Sequence, residues 1–148
     1  MTRQTLTRLL LAILSAPTTA VAAEPTQAFV DLAIKQSMSS EDRESQLRQL
    51  ADEHPGDARP HFELGNLLAQ QRRWPEARAA YTRALAAGGQ RHPEIHYNLG
   101  VAFDHLEQRP TALLSYQAAL QAATNVSRHL LPLAELRRRI AELEHAGP

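Results

Sequence analysis

The sequence predicts an all-α fold of stacked helix pairs, and three observations carry the prediction. The stretch from His61 to Leu85 returns as His96 to Leu120, every matched position offset by 35 residues. Leu64-Gly65 becomes Leu99-Gly100, Ala77 becomes Ala112, Tyr81 becomes Tyr116, and Ala84-Leu85 becomes Ala119-Leu120. Self-similarity at a fixed period of this size marks a helical-repeat architecture, in which each helix pair buries its apolar face against the next. The second observation is negative: no β-branched run alternates over the length of a strand. Third, apolar residues make up 43% of the chain but aromatics only 5%, so the core rests on Leu and Ala, which suit close helix packing better than sheets.

Length and composition bound the function classes. A chain of 148 residues is enough for one domain. Its formal charge is zero, so no basic excess draws nucleic acid or anionic lipid. The absence of cysteine excludes disulfides, thiol catalysis and cysteine-ligated zinc.

Taken in order, residues 1–23 read as a secretory signal peptide. Arg3 and Arg8 precede the apolar run Leu9–Leu14, and Ala20-Val21-Ala22 or Val21-Ala22-Ala23 offers the small residues a signal peptidase needs. Cleavage near Ala22 or Ala23 places the protein in the periplasm or outside the cell. The alternative is an uncleaved membrane anchor, although the apolar run is short against the roughly 20 residues that span a bilayer. Residues 24–57 read as two helices. The first, Thr26 to Gln36, gathers Phe29, Leu32, Ala33 and Ile34; the second is capped by Ser39 or Ser40 and carries Leu47, Leu50 and Ala51 on one stripe. His54-Pro55-Gly56-Asp57 stops it. A helix capped by Asp57 then runs from Ala58 to about Gln71. After a turn at Arg72-Arg73-Trp74, another runs from Pro75 to about Ala87 and stops at Gly88-Gly89. The second copy opens its helices at Pro93 and at Arg109-Pro110, the latter ending near Ala122. Past Asn125 the repeat pattern changes. Ser127 can cap a short turn, and a last helix from Leu133 to about His145 places Leu136, Ile140 and Leu143 on one stripe and Arg137-Arg138-Arg139 on a solvated face. That polar outer face suits the end of a solenoid.

These residues resemble the tetratricopeptide repeat family. The family's pattern of a bulky residue, Leu-Gly, a bulky site, Ala, an aromatic and Ala is met by His61, Leu64, Gly65, Leu68, Ala77, Tyr81 and Ala84, then by His96, Leu99, Gly100, Phe103, Ala112, Tyr116 and Ala119. Leu47, Leu50 and Pro55 precede Tyr81, Ala84 and Gly89 by 34 residues, so residues 24–57 look like a degenerate copy without the Leu-Gly pair. The resemblance implies a right-handed α-solenoid of about three helix pairs: 24–57, 58–92 and 93–126, closed by a capping helix in 127–148. Gly65 and Gly100 would let the helices of one repeat approach, with Tyr81 and Tyr116 filling space toward the next. In the first copy one extra residue falls in Gly88–His92, and the commonly small residue of the intra-repeat turn is replaced by Arg72 and Glu107.

By the same resemblance, the first helix of each pair lines a concave face that grips a segment of another protein. The positions are Arg59, Phe62, Glu63, Asn66, Ala69 and Gln70 in the first copy and Glu94, Tyr97, Asn98, Val101, Asp104 and His105 in the second. Phe62 and Tyr97 are either anchors for a partner or packing between neighbouring first helices. Asn66 and Asn98 carry donors and acceptors suited to a peptide backbone. The sites that hold Lys in relatives that clamp a C-terminal carboxylate carry Phe62 and Tyr97, so no such clamp is expected. The expected role is a scaffold or adaptor for an envelope partner, with self-association as a homodimer the alternative. Nucleic acid, small-molecule substrates and cofactors are not expected. Neither is a metal: Pro93 leaves His92 outside the helix that bears His96. Ser, His and Asp stand in no motif that frames catalysis.

Overall fold

The structure is a computed structural model and describes residues 39–126 and 129–145. Within them lie six α-helices: α1 (Ser40–Glu53), α2 (Ala58–Gln70), α3 (Trp74–Ala86), α4 (Pro93–His105), α5 (Arg109–Thr124) and α6 (Leu133–His145). No strand occurs among the described residues. α2 packs on α3 and α4 on α5 as antiparallel pairs. α1 stacks on α2, α3 on α4, and α6 closes on α5. Neighbour-on-neighbour packing of this kind is an α-solenoid. The expected signal peptide, the helix at 26–36 and the Ser127 cap fall outside the described residues.

Local chemistry sets the boundaries. Ser39 caps α1 by accepting from the backbone N–H of Asp42 (3.1 Å), and Asp57 caps α2 by accepting from that of Arg59 (2.9 Å). α3 begins at Trp74 rather than Pro75, and α5 runs to Thr124 rather than Ala122, shifts of the size expected where helix ends fray. After α3, Gly88 adopts φ 96° and Gly89 is buried, where a Cβ would stand 2.6 Å from the carbonyl oxygen of Ala84. The first glycine reverses the chain and the second lets it pass close to α3. The extra residue of the first copy sits here, in a short 3₁₀ turn, Gly89–Arg91.

The two intra-repeat turns are the same device. The Arg72 N–H reaches the Ala69 carbonyl (2.9 Å) and the Arg73 N–H the Leu68 carbonyl (2.9 Å); 35 residues on, Glu107 reaches Asp104 (3.0 Å) and Gln108 reaches Phe103 (2.9 Å). This is the Schellman pattern, which needs a left-handed residue just past the helix. Arg72 (φ 60°) and Glu107 (φ 59°) fill that place without being glycine.

Tyrosine on glycine holds each pair together. A Cβ at Gly65 would lie 2.5 Å from the Tyr81 ring, and one at Gly100 would lie 2.7 Å from the Tyr116 ring. The sequence pattern sends both tyrosines toward the next repeat; the structure instead seats each ring on the glycine of its own repeat. Ala77 and Ala112 are completely buried beside them. Around Tyr81, one cluster joins Leu47 of α1, Leu64 and Leu68 of α2, Ala84 of α3 and Ile95 and Leu99 of α4. A second joins Tyr116 and Ala119 of α5 to Leu136, Ile140 and Leu143 of α6. His61 is buried in the first repeat, and His96 Nε2 donates to the Gln90 carbonyl (2.9 Å).

Polar contacts add a tie at each end. Arg73, in the α2–α3 turn, donates to Glu44 of α1 (2.6 Å) and to Glu76 (2.7 Å). Hydrogen bonds from Arg73, then Arg48, hold the Glu44 carboxyl below its ordinary range. A depressed carboxyl stabilises the fold above the unfolded value and loses that contribution as pH falls through the folded one, so this tie survives mild acid.

Replacing Glu107 by glycine is expected to stabilise the protein. Removing the Cβ from a left-handed residue relieves about 1–2 kcal/mol and costs roughly 0.5–1 kcal/mol in backbone freedom. Thermal unfolding should show Glu107→Gly raising Tm by a few degrees while Glu107→Ala does not.

Candidate functional site

The first helices of the two complete repeats, α2 and α4, carry the candidate face. Two hollows open along it. One, of about 450 Å³, lies between α2, α4 and the start of α3, and is lined by Asn66, Ala69, Gln70, Trp74, Tyr81, Asn98 and Val101. The other, of about 390 Å³, lies between α4, α5 and α6. Tyr97, Val101, Asp104, His105 and Tyr116 line it with Glu135, Leu136 and Arg139 of α6. Val101 borders both.

The polar groups of the first hollow hold one another in place. Asn66 Oδ1 accepts from the Tyr81 hydroxyl (2.9 Å) and from Asn98 Nδ2 (2.8 Å). One amide oxygen thereby joins α3, α2 and α4. Burial pushes the Tyr81 phenol well above its ordinary range, so it remains a donor at any physiological pH. Position 101, the counterpart of Asn66, is a valine with no acceptor. The Tyr116 hydroxyl goes one turn further, to Asp104 Oδ2 (2.9 Å).

Asp104 also takes a two-pronged bond from α6. Arg139 Nε and Nη2 each donate to it, on Oδ2 and Oδ1, both at 2.8 Å. The planar guanidinium matches the carboxylate, which makes this the stronger kind of ion pair. Its hydrogen bonds to Asp104, then Glu142, raise the Arg139 pKa. Two expectations change. Asp104 is the fastening of the capping helix rather than an open contact, and Arg139 turns inward from the solvated arginine face. Arg138 stays on that face, paired with Glu135 and Glu142.

Of the remaining concave-face positions, Asn66, Ala69, Gln70, Asn98 and Val101 come together around the first hollow, and Tyr97, Val101 and His105 around the second. Arg59, Phe62, Glu63 and Glu94 line neither. Arg59 pairs with Glu63 one turn on (3.2 Å), and Glu94 lies 3.4 Å from His92. Phe62 packs on Tyr81 with ring centres 6.0 Å apart and Tyr97 packs on Tyr116 at 5.8 Å, the same contact in both copies. Packing accounts for Phe62; Tyr97 packs and also faces the second hollow.

Trp74 was hidden from the face by the turn in which the sequence pattern placed it. As the first residue of α3 it lines the first hollow and stacks flat on His105 of α4, centres 3.8 Å apart and planes 7° from parallel. Being the chain's one tryptophan, beside a tight turn, was the available signal. Among the described residues no three His, Cys, Asp or Glu side chains gather as a metal site.

A family model described as tetratricopeptide repeat matches residues 44–92 and again 62–127, together more than half of the chain. The chain belongs to the tetratricopeptide repeat family. The first match begins inside α1, as the 34-residue correspondence of Leu47 and Leu50 implies. Among solved structures, this tetratricopeptide repeat fold is similar to the TPR2B domain of yeast Sti1 in its pHsp70 complex. The identity is 17%, the TM-score 0.63, and the match covers 72% of this chain and 84% of that one, a likeness of fold. No curated protein matches the chain in sequence. The fold is that of a protein–protein interaction scaffold.

The Asp104 tie is expected to act locally. Asp104→Asn should cost about 2 kcal/mol, the scale of a charge-assisted hydrogen bond. Amide hydrogen exchange should quicken in α6 and the second half of α5 while α2 and α3 keep their protection. Uniform quickening along the chain would contradict this.

Proposed function

We propose that this protein is a non-enzymatic adaptor of the cell envelope that holds a segment of a partner protein against α2 and α4. The observation that carries the reading is the first hollow. Its walls come from two consecutive repeats, and its polar groups are fixed before any partner arrives. A side chain already held in its bound geometry loses little freedom on association, so more of the contact energy appears as affinity. The envelope setting rests on the signal-like segment at residues 1–23. An apolar run behind two arginines, followed by small residues, is the pattern of an exported chain.

Lys35 is the chain's one lysine, so amine crosslinkers suit this protein poorly. A photo-activated benzoylphenylalanine at Gln70, on the exposed rim of the first hollow, is the better probe. Irradiated in cells, it should give an adduct with an envelope protein, and Asn98→Ala in the same chain should reduce that adduct several-fold. An adduct of unchanged yield would place the partner elsewhere on the protein, and an adduct with a cytosolic protein would remove the envelope setting.

A further inference from the structure

We infer that the first hollow selects an uncharged, extended segment from the interior of a partner chain, seated by one bulky apolar side chain against Trp74. This rests on the proposed partner-binding role of the face and specifies its ligand.

Charge is the first argument. No charged residue lines the first hollow. In the second, Asp104 is bonded at both oxygens to Arg139, and Glu135 is paired with Arg138 at 3.0 Å. A charged side chain entering the first hollow would leave water and find no counter-charge there. Desolvation of an unpaired ion is costly, so the hollow rejects charge of either sign. A C-terminal carboxylate is rejected for the same reason.

Hydrogen-bond capacity is the second. Asn66 Oδ1 is filled by Tyr81 and Asn98. The Asn66 amide N–H groups and the Asn98 amide oxygen have no partner among the described residues. A donor and an acceptor are therefore offered side by side on adjacent first helices. A backbone C=O and N–H of an extended segment answer that pair, and a backbone is common to every sequence. Selectivity must then come from the side chain beside it.

The third argument is the wall that side chain meets. Trp74 is stacked on His105, so the indole is already fixed, with Ala69 and Val101 completing an apolar surface beside it. A rigid aromatic gives contact area at little cost in freedom. About 450 Å³ takes one large side chain with the backbone on either side.

Display of random dodecapeptides fused at both ends, selected on the purified protein, tests this. The expected winners carry no net charge and share one Phe, Leu, Ile, Met or Trp. Synthesised with blocked ends, a Trp-free winner should change the fluorescence of Trp74. Replacing its apolar residue by Asp or by Lys should each weaken binding at least 10-fold, and Val101→Asp in the protein should do the same while Tm holds within a few degrees. Winners that are acidic or basic, or charged replacements that bind within 3-fold of the parent, overturn the inference while the adaptor role stands, because a peptide is still held. If nothing is enriched and the Gln70 probe gives no adduct, the inference and the adaptor role fall together. If nothing is enriched but the adduct forms and depends on Asn98, only the inference falls.

Discussion

A tyrosine ring lying on a bare glycine is the contact on which the rest depends. Tyr81 on Gly65 and Tyr116 on Gly100 set how near the two helices of each repeat come. With a methyl at either glycine the ring has nowhere to go, since Tyr81 is 2% exposed and Tyr116 4%. Interiors packed to crystal density transmit such a displacement instead of absorbing it. The alanines around the tyrosines, fully buried at 77, 84, 112 and 119, are small because the helices are already close.

The same ring carries the site. Its hydroxyl emerges on the far side of the first helix and fixes the polar group there, Asn66 in one copy and Asp104 in the other. Between the copies, one substitution redirects the function of that hydroxyl. Asn66 leaves capacity for a ligand and joins the neighbouring repeat through Asn98. At Val101 the acceptor is gone, the hydroxyl moves to Asp104, and Arg139 completes the bond from the capping helix. One repeat presents an open face, and the other is tied to the end of the solenoid.

Fold was legible in the sequence because it rests on spacing. The 35-residue offset, the Leu-Gly pairs and the capping residues each act within a few positions or repeat at a fixed interval. The helix boundaries at Ala58, Pro93 and Leu133 fall where those signals put them. The site was legible in part. Asn66, Gln70, Asn98 and Val101 sit on the face the repeat register assigns them. Three features were hidden, each set by contacts between elements far apart in sequence. Trp74 looked like a turn residue, and its stack on His105 depends on how one repeat meets the next. Arg139 stands in a run of three arginines, and only the rotation of α6 on α5 selects which of them reaches Asp104. Phe62 and Tyr97 had the chemistry of anchors, but the rings beneath them decide that they pack.

The central claim is that one hydroxyl belongs to both the scaffold and the face. A double-mutant cycle between Tyr81→Phe and Asn98→Ala, read by urea denaturation, tests it most directly. Either donor alone keeps Asn66 Oδ1 bonded; the loss of both leaves it without a protein partner. The account predicts that the double variant is less stable than the sum of the single effects by about 0.5–1 kcal/mol, within the range for side chains that share a partner. Additivity to within about 0.3 kcal/mol, as for independent sites, would contradict it.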